Sequence, residues 1–322
     1  MRVVVATAHG APDVLEIQER PPSNPSAGEV RVDVHAAGVN FMDTYLRRGM
    51  LQVIPPPFVP GVDGAGVVTA VGEGVDAQVG DRVAWERVMG SYAEELIVPA
   101  DRLVPVPDTV ALQTAAAGLM QALTAHHLCH AAVDTGNGDV ALVHSAASGV
   151  GRMLTQIITR RGGRVIATVS KQGKVPIAQA AGASDVLVRD QQVDLAAEVR
   201  RLTKGRGVDV VFDGTGADSY RASIDATRYG GTFVHFGQAG GPIPPLDLWE
   251  QPDGVKLMRS RGDAIGATPE QTLARACEVF SWIADGTLDV LIGQTYSLAE
   301  ASRAHADIES QSTVGKLLLL PG

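Results

Sequence analysis

The chain has 322 residues, 45% hydrophobic and 20% charged, with a formal net charge of −9. That size suffices for two domains with sizeable cores, and the composition excludes a disordered or collagen-like chain. The acidic balance and lack of a long basic run exclude a partner gripped by its nucleic-acid backbone, and no apolar stretch approaches a membrane span.

The N-terminal stretch "MRVVVATAHGAPDVLEI" reaches Pro12 and Asp13 where a secretory leader would still be apolar. Cys129 and Cys277 offer no disulfide framework and fit a reducing compartment, so a cytoplasmic location is expected. Up to about residue 107 the chain consists of short β-like runs: "RVVVA", "LEIQER", "EVRVDVHAAGV", "GVVTAVGEGV", "DRVAW" and "YAEELIVP". Glycines and prolines divide them, a spacing that predicts a barrel or sandwich rather than a parallel sheet.

From residue 108 the rhythm changes. "DTVALQTAAAGLMQALTAHHLCHAA" is Ala-rich and predicts a helix, after which apolar runs and helical patterns alternate. The runs are "VALV", "RVIATV", "DVLV", "VDVVF" and "GTFVHF", with helices predicted between them through "VPIAQAAG", "VDLAAEVRRLT" and "SYRASIDATRY". Such alternation implies a parallel, doubly wound α/β sheet. The tail carries an amphipathic helix, "EQTLARACEVFSWIADG", and a terminal strand, "GKLLLLP". It is too small to stand alone and is expected to pack back onto the first domain.

The stretch "VALVHSAASGVGR" places a small-residue turn after a buried run. Ala146 and Ser148 stand where the G-x-G-x-x-G fingerprint has its first two glycines. What the turn requires is small residues where the backbone approaches a pyrophosphate at a helix N-terminus, and Ala146, Ala147, Ser148, Gly149, Val150 and Gly151 satisfy that. NAD sites place an Asp or Glu about 20 residues further on to hold the ribose. Here Thr168-Val169-Ser170 ends the next strand and is followed by Lys171 and Lys174, with Arg189 after the third strand. A hydroxyl and cations without an acid predict NADP over NAD.

The whole chain resembles the zinc-independent quinone oxidoreductases, the zeta-crystallin branch of the medium-chain dehydrogenase/reductase superfamily. "AAGVNFMDTYLRRG" is similar to that branch's active-site strand and helix, and "VPGVDGAGVVTAVGEGVDAQVGDRV" to its Gly-rich hairpin. "DVVFDGTGADSYRASIDATRYGGTFVHFGQAGG" and "AHADIESQSTVGKLLLLP" resemble its later nucleotide-fold strands and C-terminal segment. The resemblance implies a GroES-like β-barrel catalytic domain, residues 1–122 and 266–322, and a Rossmann NADP-binding domain, residues 123–265, with NADPH in the cleft between them. It implies hydride transfer from NADPH to a quinone or related conjugated carbonyl, a small-molecule substrate, and a homodimer. By position Asn40, Asp43 and Tyr45 match active-site residues, and Ser170 and Lys174 match contacts to the 2′-phosphate. Thr124, the turn residues Ala147 to Val150, Phe236 and Gly237 match positions near the nicotinamide or pyrophosphate, and Lys316 joins the cofactor set. Ser148, Arg189 and Gln311 depart from the branch's common glycine, tyrosine and arginine.

No metal is expected. Zinc dehydrogenases need Cys or His ligands, whereas Asn40 and Val62 occupy the ligand positions and "WERVMGSYAEE" holds no cysteine. The cluster His126, Cys129 and His130 has a spacing that could seat a metal, but a packed helix is the expected reading, and His144 reads as a core residue. Without a metal, positioning and hydrogen-bond donors must serve: Asn40 through its amide, Tyr45 through its phenol, and Asp43 by orienting its neighbours. Phe41, Met42, Tyr45, Met50 and Trp249 do not distinguish quinone reduction from enoyl or alkenal reduction. A non-catalytic NADPH-binding protein is the reading from another class, opposed by the retained Asn40. An exposed strand edge is expected at "GTFVHF", where a dimer would form.

Overall fold

The computed structural model describes residues 1–51, 53–189, 194–260 and 268–322. The chain divides into two compact units: Met1–Met120 with Thr268–Gly322, and Gln121–Ala267.

In the first unit β1 (Arg2–Ala6) and β2 (Leu15–Glu19) pair as an antiparallel hairpin. The long β3 (Glu29–Val39) follows and leads through Asn40 into α1 (Phe41–Arg47). β4 (Asp63–Val71), β5 (Arg82–Glu86), β6 (Glu95–Pro99) and β7 (Val104–Pro105) complete the N-terminal strands. In β3, Val30, Val32 and Val34 are buried while the residues between them point outward, as alternation on a one-sided sheet requires. From Ala36 to Val39 every residue is buried, so this end of β3 is covered on both faces. β3 is also where the sheet branches: it pairs along its length with β4, at its first half with β6 and at its last residues with the C-terminal strand.

The helix α2 (Leu112–His126) carries the boundary between the units and runs on into a π-helical turn over His127–Ala132. The second unit then alternates regularly: β8 (Val140–Val143), α3 (Gly149–Arg160), β9 (Arg164–Val169), α4 (Val175–Ala180), β10 (Asp185–Val188), α5 (Leu195–Leu202) and β11 (Val208–Asp213). α6 (Tyr220–Ala226), β12 (Thr227–His235) and β13 (Lys256–Arg259) close it. All six strands are parallel in the order β10-β9-β8-β11-β12-β13. Counted from β8, this is the doubly wound 3-2-1-4-5-6 order, with its switch point between β8 and β11. Two expectations change here. The helix predicted through "SYRASIDATRY" ends at Ala226, and β12 already begins at the β-branched Thr227. β12 is therefore longer than "GTFVHF", and it is no edge: β13 lies beyond it.

The tail supplies α7 (Pro269–Ala284), β14 (Ile292–Ser297), α8 (Ala301–Glu309) and β15 (Lys316–Leu320). β15 pairs antiparallel with β3, through Leu317↔Val39 to Leu319↔Ala37, which places the tail within the first unit. Among the described residues no helix is long and apolar enough to cross a membrane.

Candidate active site

Two groups of polar side chains stand out, one in each unit. In the first unit Asn40 sits between β3 and α1 and is 7% exposed. Its Nδ2 donates to Asp63 Oδ1 at 2.7 Å, and its Oδ1 accepts from Lys316 Nζ at 2.5 Å. Lys316 Nζ also donates to Asp63 Oδ2 at 3.1 Å, so the first residues of β4 and β15 and the cap of α1 form a buried triangle. Gly38 makes room for it. A Cβ there would lie 2.4 Å from Asp63 Oδ1 and 2.6 Å from Lys316 Nζ, closer than real Cβ atoms come.

Asp43, one turn into α1, has no exposed surface. Its Oδ2 accepts from the Asn40 backbone N–H at 2.8 Å and from Asn40 Nδ2 at 3.4 Å, and lies 3.1 Å from the Tyr92 hydroxyl. Burial and the negative charge of Asp63 push Asp43 up to about 7, against the pull of the Asn40 N–H, Lys316 and Tyr92. Tyr92 stands between Asp43 and His305 of α8, whose Nε2 is 3.0 Å from the same hydroxyl and whose ring meets the tyrosine edge-on. Burial, reinforced by the charge of Arg47, lowers His305 to about 3, so its imidazole is neutral. Arg47, equally buried, donates through Nη2 to Glu309 at 2.5 Å. Tyr45 is half-buried, its ring 6.3 Å from that of Phe41.

In the second unit the turn after β8 begins at Ser145, which adopts a positive φ of 53°. Ser148 caps α3, its Oγ accepting from Gly151 N–H at 3.4 Å, and Ala147, Gly149 and Val150 complete the turn. Gly151 cannot be replaced without strain, since a Cβ would lie 2.3 Å from the Ser145 carbonyl oxygen. A directed chain of hydrogen bonds underlies the turn. Ser145 N–H donates to Thr168 Oγ1 (3.4 Å), Thr168 to His144 Nδ1 (3.0 Å), His144 Nε2 to Ser223 Oγ (2.8 Å), and Ser223 to Asp213 Oδ2 (3.0 Å). Asp213 Oδ1 in turn accepts from the Thr215 and Gly216 N–H groups. Burial, opposed by Asp213, keeps His144 below its usual range and neutral. Burial pushes Asp213 up, but His144, the two N–H groups and Ser219 outweigh it and hold it ionised. The ends of β8, β9 and β11, at the switch point, are thereby locked together. His144 is a core residue, as its sequence context suggests, and also the link between two loops.

Ser170 follows β9, and beyond it Lys171, Lys174 and Arg189 gather. Burial, then repulsion from Lys171 and Arg189, pulls the Lys174 ammonium below its ordinary range. Arg189 is lowered by burial, against Asp218 and Asp213. A dianionic group here would relieve the crowding of cations. Phe236 and Gly237 follow β12; the Phe236 N–H donates to Asp213 O, and its ring lies where a Cβ on Gly214 would come within 2.8 Å. Thr124 is half-buried on α2. Lys316, expected in the cofactor set, bonds Asn40 and Asp63 in the first unit. His126 and His130 stack face to face at 4.0 Å and 9°, which turns their edges parallel rather than toward one ion. Among the described residues no group of three or more His, Cys, Asp or Glu side chains could hold a metal.

Asp63, Tyr92, His305 and the Thr168–Ser223–Asp213 chain escape sequence reasoning. Asp63 alone left a trace, as an acid inside the otherwise small and apolar "PGVDGAG".

Residues 26–108 match the model of the alcohol dehydrogenase GroES-like domain, and residues 181–319 that of a zinc-binding dehydrogenase. A quinone oxidoreductase of Pseudomonas aeruginosa is 36% identical over 318 residues, 98% of each chain. The chain belongs to the quinone oxidoreductase family. A 2-haloacrylate reductase of Burkholderia is 34% identical over 99% of both chains. The crystal structure of Escherichia coli quinone oxidoreductase complexed with NADPH superposes with a TM-score of 0.96 at 32% identity, covering 100% of both chains. The zinc of the second model's description does not fit the residues of this family member. At the expected ligand position both ends of the Asn40 amide are engaged, and the neighbouring cationic place is taken by the Lys316 ammonium.

Proposed function

We propose that the protein is an NADPH-dependent quinone oxidoreductase, passing a hydride to a quinone or related conjugated carbonyl without a metal. The observation that carries the cofactor assignment is the gathering of Lys171, Lys174 and Arg189 beyond β9 and β10, in a chain of this family. Ser170, Lys174 and Arg189 hold the 2′-phosphate, and the N-terminus of α3 with Ala147 to Val150 holds the pyrophosphate. Thr124, Phe236 and Gly237 flank the rest of the cofactor. Bound NADPH supplies the hydride. Negative charge then grows on the acceptor oxygen, where the Asn40–Lys316 pair offers an amide dipole and a fixed positive charge, with Tyr45 as a further donor. Asp43, poised near neutrality, holds the proton that the reduced acceptor needs.

Enoyl reduction is the second reading, favoured by the likeness to the Burkholderia 2-haloacrylate reductase. NADPH oxidation followed against a quinone panel and an enone panel separates the two. Faster turnover with quinones is expected, and turnover confined to enones selects the second reading. NADPH binding without oxidation by either panel defeats both. Lys174→Ala is expected to weaken NADPH about 10- to 100-fold, the worth of one charge-assisted hydrogen bond, and to leave NADH binding nearly unchanged. Fluorescence titration with both nucleotides checks this, and an equal loss for both removes Lys174 from the 2′-phosphate site.

A cytoplasmic homodimer completes the reading. Support comes from β13, the edge strand of its sheet among the described residues, with Leu248, Trp249 and Met258 exposed near it in the chain.

A further inference from the structure

The two buried polar networks differ in how they end. The chain beneath the nucleotide turn is closed: Ser145 N–H opens it, and the Thr215 and Gly216 N–H groups terminate it. The chain Asp43–Tyr92–His305 is satisfied only in its middle. Among the described residues Asp43 Oδ1 at one end and His305 Nδ1 at the other are buried without a hydrogen-bond partner. Buried polar atoms left unpaired in this way cost stability, so a network that served packing alone would close them.

The middle has a second property. The Tyr92 hydroxyl lies 3.1 Å from Asp43 Oδ2 and 3.0 Å from His305 Nε2, close to equal, so its proton can point either way. When it points to Asp43, the carboxylate accepts and His305 donates from Nε2. When it points to His305, Asp43 is the acid and donates to the tyrosine oxygen, and His305 carries its proton on Nδ1. The two arrangements use the same heavy atoms and differ by one proton on Asp43. At the outer end, His305 and Glu309 stand one turn apart on the same face of α8. Arg47 lies against both, and Arg47, Arg48 and Glu309 line a surface cavity of about 520 Å³.

We propose that Tyr92 and His305 relay protons from the Glu309 side of the first unit to Asp43. The inference rests on the reductase reading for its use, since a reduced quinone needs a proton for every hydride. In one transfer a donor at the cavity gives a proton to His305 Nδ1, His305 Nε2–H passes to the tyrosine oxygen, and the Tyr92 proton passes to Asp43 Oδ2. Three bonds to hydrogen break and three form, no electrons are exchanged, and both His305 and Tyr92 end neutral. Asp43 then gives its proton to the oxyanion of the reduced acceptor. Tyr92 and His305 act through Asp43 and are positioning residues in this sense. The charged and titratable groups around the relay are Asp63 of β4, Lys316 of β15, Arg47 of α1 and Glu309 of α8. Burial and the neighbouring acids hold Tyr92 well above the usual phenol range, so a tyrosinate is not an intermediate and the transfers are concerted.

The test has two arms. In protein without nucleotide, time-resolved infrared spectroscopy after a pH jump from 9 to 6 follows the carboxyl band of Asp43, identified by its loss in Asp43→Asn. Tyr92→Phe, which keeps the ring, is expected to slow protonation of Asp43 at least tenfold. His305→Ala slows it as much, and added imidazole restores it. Unchanged protonation rates in both variants overturn the relay, as does slowing that imidazole leaves untouched. In the second arm, quinone turnover by Tyr92→Phe falls about tenfold or more with KM little changed, and its solvent isotope effect grows. Should the wild-type protein fail to oxidise NADPH with any quinone or enone, the reductase reading fails while the first arm still decides the relay.

Discussion

Asp43→Asn stabilises the protein at pH 8 and not at pH 5, in urea unfolding followed at both. The carboxyl is fully buried and sits at about 7, against an ordinary value of 3.8. The folded state therefore binds this proton more tightly than the unfolded chain. Stability from this group is fully present below the unfolded value and is lost as pH rises through the folded one, between about pH 4 and 7. The displacement corresponds to about 4 kcal/mol at pH 8. An amide carries no charge and escapes that loss, though its NH2 meets no acceptor at the Oδ1 position, which costs about 1–3 kcal/mol. A net gain of about 1–3 kcal/mol at pH 8 is the expected result, with a neutral or unfavourable effect at pH 5. His305 and His144 also titrate with folding, but they do so in both proteins and cancel in the difference. Equal effects of the substitution at the two pH values would mean that Asp43 is not held protonated by its surroundings. A group that destabilises the fold where the protein works is expected at a catalytic position, where charge is kept for chemistry.

How much of this was legible beforehand depends on the range of the interaction. The alternation Val30, Val32, Val34 declares β3, and the strand–helix rhythm from Val140 declares the parallel sheet, because both signals lie within a few residues of each other. Asn40 and Asp43 were singled out by another route, the resemblance of "AAGVNFMDTYLRRG" to an active-site strand and helix. Their partners were not. Asp63 comes from β4, Tyr92 from the loop before β6, Lys316 from β15 and His305 from α8, and only the branching of the sheet at β3 and the return of the tail bring them together. Lys316 shows the limit clearly. Expected among the cofactor-binding residues, it meets the carboxylate of Asp63, a partner 253 residues away that no local pattern names. The helix ending at Ala226 and the edge strand β13 were misjudged for a related cause. Strand limits depend on pairing with β11 and β13, which the local pattern does not carry.

Lys316→Met is expected to cost about 3–5 kcal/mol, the usual result of removing one partner from a buried ion pair. Lys316 and Asp63 are 3% and 1% exposed at the side chain and 3.1 Å apart, so water cannot solvate the carboxylate that remains. Methionine keeps the length of the stem, so the loss falls on charge and hydrogen bonding rather than on a cavity. Asp63→Asn added to Lys316→Met should recover much of the stability, because no unpaired charge is then buried. The double-mutant cycle reads this as a coupling between the two sites at least as large as the stability recovered. The same substitution also removes a positive charge that lowers Asp43, so the carboxyl titrates above its present value of about 7 in Lys316→Met. Two further readings divide the roles of the lysine. If it serves the Asn40 triangle, NADPH affinity of the folded variant stays within a few-fold while turnover falls, because the charge facing the growing oxyanion is gone. If it serves the cofactor, affinity falls, the variant keeps its stability, and Asp63→Asn restores nothing.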